Sequence, residues 1–61
     1  MRFRFGSTSS VMLFGQLLAE EEDPTLFSVT REGDVIVQSD PSRLFMRLVE
    51  DLGAFEVLEN D

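Results

Sequence analysis

Residues 26–39, LFSVTREGDVIVQS, read as a chain that turns back on itself. Two runs rich in β-branched and aromatic residues, at residues 26–30 and 34–39, flank a turn that contains Gly33. Two loop lengths compete for that turn. A three-residue loop pairs Val29 with Val35 and Phe27 with Val37, and turns all four to one face. Leu26, Ser28, Ile36 and Gln38 then share the other face. A two-residue loop would pair Val29 with Ile36 and mix the faces. The pattern therefore selects the longer loop, with Gly33 in the left-handed conformation.

Downstream, Asp40 is read as a helix cap and Pro41 as the first helical residue, where its missing N–H costs nothing. The helix is expected to run to Leu52, burying Leu44, Phe45, Leu48, Val49 and Leu52. Gly53 is placed to end it in the left-handed conformation. Arg47 and Asp51 stand four apart on the outer side, a spacing that allows a weak ion pair. Residues 54–58 read as a last strand with Phe55 and Val57 inward, followed by a frayed acidic tail at residues 59–61.

Upstream, Val11, Phe14 and Leu18 recur at helical spacing, with Leu13 and Leu17 widening the stripe, so a helix is expected over about residues 11–22. Pro24 ends it, and the Ser and Thr residues at 7–10 can cap it. Gly15 lies inside, either to admit a close neighbour or as a weak point worth up to about 1 kcal/mol against Ala. Met12 and Met46 read as core fillers, with Met46 able to reach an interface. Residues 1–5 alternate, with Phe3 and Phe5 inward and Arg2 and Arg4 outward, as in a half-buried strand. The order is strand, helix, strand, strand, helix, strand. That is the ferredoxin-like order of an α+β fold, βαββαβ, with two helices on one face of a four-stranded antiparallel sheet.

Sixty-one residues make one small domain over residues 1–61. A chain of this size buries only about 60% of its unfolded surface, so stability is marginal and a homodimer would help. Neither Cys nor His occurs, which removes disulfides, thiolate zinc sites and imidazole chemistry. No Lys or Tyr occurs either, and a Ser or Thr nucleophile would have only carboxylates as a base. No enzyme activity, cofactor or metal is expected.

The charge is −7, from twelve acids against five arginines. Such a surface repels nucleic acid and anionic lipid and attracts basic proteins, although solubility or salt adaptation accounts for it as well. No apolar run is long enough to span a bilayer. Arg2 and Arg4 ahead of the apolar residues 11–19 loosely resemble a secretion signal. Against that stand the alternation of Phe3 and Phe5, the interruption at Gln16 and the bulk of Leu17, so a cytoplasmic protein is expected.

Two surfaces emerge as candidates for partner binding. Glu20, Glu21, Glu22 and Asp23 put four acids at the end of the first helix, where the macrodipole is already negative. Their spacing lacks the alternating ligands of a calcium loop. The outer sheet face would carry Arg2, Arg4, Leu26 and Ile36, with its aromatics turned away, which disfavours base stacking. The expected function is a non-catalytic protein-binding module, a regulator, adaptor or inhibitor. In one form it is a nucleic-acid mimic held by a basic partner. The alternative is a structural subunit that self-associates through its sheet face or edge strands.

Overall fold

The computed structural model describes residues 1–38 and 40–58. Six elements follow in the expected order: β1 at Arg2–Arg4, α1 at Thr8–Glu20, β2 at Phe27–Val29, β3 at Asp34–Val37, α2 at Arg43–Asp51 and β4 at Phe55–Val57. The strands form one sheet in the order β2-β3-β1-β4, with every neighbouring pair antiparallel. The chain is thus an α+β fold. Ser39, expected to end the second hairpin strand, and the acidic tail at residues 59–61 lie outside the described residues.

The hairpin has the register its alternation selects, with Phe27 opposite Val37 and Val29 opposite Val35. Its loop closes by a bond from the Thr30 N–H to the Asp34 carbonyl at 2.9 Å and one from the Gly33 N–H to the Thr30 carbonyl at 3.2 Å. Gly33 takes a φ of 83°, the left-handed position of a three-residue loop. The Thr30 hydroxyl accepts the remaining bond, from the Asp34 N–H.

Both helices press on the face that carries Phe3, Phe5, Val35 and Val37. Val11, Phe14 and Leu18 from α1 and Phe45, Leu48 and Val49 from α2 complete the core. Phe14 lies at its centre, with ring centroids 4.8 Å from Phe45, 4.9 Å from Phe5 and 5.7 Å from Phe27, in tilted or edge-on contact. Rings meet edge to face because their negative faces attract their positive edges. Leu44 and Leu52 are half-buried, whereas Leu13, Met12 and Met46 are exposed, so the methionines do not fill the core.

Four further details depart from the sequence reading. The first helix starts earlier and ends sooner, because Ser7 caps it by accepting from the Ser10 N–H at 3.2 Å and Glu22 turns left-handed. The cap of α2 is Ser42 rather than Asp40, so Pro41 precedes the cap. Val29 faces inward by register yet stays 51% exposed, because β2 is an edge strand and Val29 lies at its end.

The fourth correction is the largest. Phe55 pairs with Arg4 and Val57 with Arg2, so both belong to the outer face of the sheet, and Phe55 is 58% exposed. The inner layer already holds five rings. The backbone also leaves α2 through a turn that donates the Ala54 N–H to the Val49 carbonyl and packs Ala54 on the core. Inward Ala54 makes Phe55 outward by the period of the strand.

Candidate protein-binding surfaces

The outer face of the sheet is built from two cross-strand rows. Ser28, Ile36, Arg2 and Val57 make one row, and Asp34, Arg4 and Phe55 make part of the next. Asp34 heads β3 directly opposite Arg4. Arg4 grips its carboxylate with two bonds, Nε to Oδ1 at 3.1 Å and Nη2 to Oδ2 at 3.2 Å. Arg2 reaches the same carboxylate from the other row, with Nε 3.1 Å from Oδ2. The two side chains cover Asp34 so fully that it is only 1% exposed, although no helix covers this face.

That arrangement fixes the charge state. The Arg4 hydrogen bond pulls the Asp34 carboxyl below its ordinary pKa; burial opposes this, and the charges of Arg4 and Arg2 reinforce it. Bonding to Asp34 raises the Arg4 guanidinium in turn. Arg4 and Arg2 thus both approach one carboxylate near the middle of the outer face. Around it stand Leu26, 79% exposed, Phe55, and the half-buried Ile36 and Val57. The reading that all aromatics turn away from this face is corrected by Phe55.

The acidic run divides into two parts. Glu20, Glu21 and Glu22 are exposed, and no cation pairs with them among the described residues. Glu22 holds a φ of 52°. Its N–H donates to the Ala19 carbonyl at 3.1 Å and that of Asp23 to the Leu18 carbonyl at 3.0 Å. These crossed bonds form a Schellman termination, with glutamate at the position glycine usually occupies.

Asp23 instead ties the first helix to the second. Its Oδ1 accepts from the Thr25 N–H at 2.8 Å, and its Oδ2 accepts from the Ser42 hydroxyl at 2.5 Å. The Ser42 oxygen accepts from the Phe45 N–H at 3.0 Å, and the Ser42 N–H donates to the Thr25 hydroxyl oxygen at 3.0 Å. Burial pushes the Asp23 carboxyl up, but the bonds from Ser42 and Thr25 outweigh it and leave it below the ordinary value. Sequence reading found the run and missed this division. The signal was the Asp23-x-Thr25 spacing of an Asx turn beside a serine-capped helix start.

Among the described residues, no three acidic side chains converge as metal ligands, and no helix is long and apolar enough to cross a membrane. Comparison with protein-family models, curated proteins and solved structures returned no match.

Proposed function

We propose that the chain is a small non-catalytic binding module that offers Glu20, Glu21 and Glu22 to a basic protein partner. The observation that carries this reading is where those acids stand. Three exposed carboxylates crowd a helix end whose dipole is already negative, and one of them holds a left-handed backbone. Both features cost stability in a chain with little to spare. Local choices that oppose folding concentrate at sites kept for another purpose.

The order β2-β3-β1-β4 with helices on one face supports assignment to the ferredoxin-like arrangement, which by itself implies no activity. Nucleic acid remains a poor partner: a net charge of −7 repels phosphate, whatever Phe55 offers for stacking.

The test is calorimetric titration with an arginine-rich peptide at low and high salt. Binding should weaken with salt, because exposed charge attraction is screened. It should weaken further when Glu20, Glu21 and Glu22 are changed together to Gln. A control variant with Glu32, Glu50 and Glu56 changed to Gln removes the same charge elsewhere. Equal losses in the two variants would reduce the effect to net charge and remove the site.

A further inference from the structure

We propose that the free edge of β2 pairs with β2 of a second copy, antiparallel about a two-fold axis at Ser28, to make one continuous sheet. In an antiparallel ladder, residues alternate between those bonded to a given neighbour and those turned away. The bond from Thr30 to Asp34 and the pairing of Ser28 with Ile36 set that alternation. Phe27 and Val29 therefore turn their N–H and C=O groups to the open side of β2. Among the described residues nothing bonds to those groups.

The two edges of the sheet differ. On β4 the residue turned to the open side is Glu56, whose charge guards the edge. Residues 26–30 contain no charge and no proline, so shortness is the only usual guard that β2 has. Its Val29 is half-exposed on the core face, as a residue awaiting a neighbouring strand would be.

The strand also complements itself. With Ser28 on the axis, Phe27 of each copy lies opposite Val29 of the other, an aromatic and β-branched pair that exchanges both main-chain bonds. Serine meets serine on the outer face without crowding. Beyond the strand, the loop residue Arg31 stands at the end of the shared ladder nearest residues 20–25 of the second copy. Arg31 has no ion pair in its own chain among the described residues. The antiparallel arrangement sets these opposite charges toward the same end of the shared ladder, once at each end. Glu32, in the same loop, opposes the approach, as does the net charge of −7 on each copy. Salt therefore strengthens the pairing, the reverse of its effect on a basic partner.

Sedimentation equilibrium of the pure chain over a wide concentration range tests this. The expected result is a monomer–dimer equilibrium that shifts to lower concentration in high salt. Val29→Pro removes an outward donor at an edge position that tolerates proline, and should give a monomer with unchanged circular dichroism. Ser28→Cys provides the sole thiol of the chain. It should form a disulfide dimer in air, because residues opposed at a non-bonded pair stand about 4.5 Å apart. Leu26→Cys should not, since the axis sets the two copies of residue 26 four positions apart. A monomer at every concentration, a dimer that survives Val29→Pro, or equal cross-linking at 26 and 28 would each overturn the proposal. Peptide binding by Glu20, Glu21 and Glu22 is read on the Val29→Pro chain, so that either reading can fail without the other.

Discussion

Glu22 and Gly53 occupy the same position at the ends of the two helices, with φ of 52° and 74°. Each is followed by the crossed bonds of a Schellman termination. The difference lies in the side chain alone. A Cβ in the left-handed region costs about 1–2 kcal/mol, and Glu22 adds a negative charge at a negative helix end. Glu22→Gly should therefore raise the unfolding free energy by about 1 kcal/mol in urea titration, and an unchanged midpoint would refute the strain. The end of α2 was legible because glycine announces this conformation. The end of α1 was not, because glutamate carries no such signal. Asp34 belongs to the same scale. Its folded pKa lies below that of the unfolded chain, about 3.9, so its contribution is complete above that pH and is lost as acid protonates the folded carboxylate. Asp34→Asn should lower stability at neutral pH and flatten its decline below pH ~4. A decline as steep as that of the parent would show that other carboxylates drive acid unfolding.

The helices and the hairpin were legible as elements because each has a stripe or an alternation that no other period fits. Their starts were less so. Asp40 and Ser42 are both good caps, and local sequence favoured Asp40 because proline follows it. Ser42 prevails through a tertiary partner: its hydroxyl caps Phe45 and donates to Asp23, a residue 19 positions earlier. Ser42→Ala should cost about 1–2 kcal/mol, the upper part of the range for caps, because a second bond goes with the first. Asp40→Ala should cost much less, and the reverse order by thermal unfolding would restore the proline-based start. In α1, a methyl group added at Gly15 would meet nothing within 4 Å beyond the adjacent residues and backbone of its own helix. The glycine thus does not serve close packing, and Gly15→Ala should stabilise by about 0.5–1 kcal/mol. A destabilised variant would mean that α1 lies closer to its neighbours than the geometry allows.

At the scale of the molecule, a radius of gyration of 10.6 Å matches the ~10.5 Å expected for a compact chain of this length. Five of six phenylalanines share one interior, and the sixth, Phe55, does not. Composition could not reveal which ring would be left out, since alternation puts Phe55 and Val57 together on either face. The exit of α2 and the pairing with β1 settle the choice, and both are tertiary. Stability of about 0.05–0.15 kcal/mol per residue gives such a chain only about 3–9 kcal/mol in total. Removing a buried ring costs about 3–5 kcal/mol. Phe14 touches Phe5, Phe27 and Phe45 at once, so Phe14→Ala should consume much or all of that margin and leave a largely unfolded chain by circular dichroism. Phe55→Ala removes a ring of similar size from the solvent side and should keep the fold, with a loss below about 1 kcal/mol. Equal damage from both would mean that the outer face is covered as fully as the core.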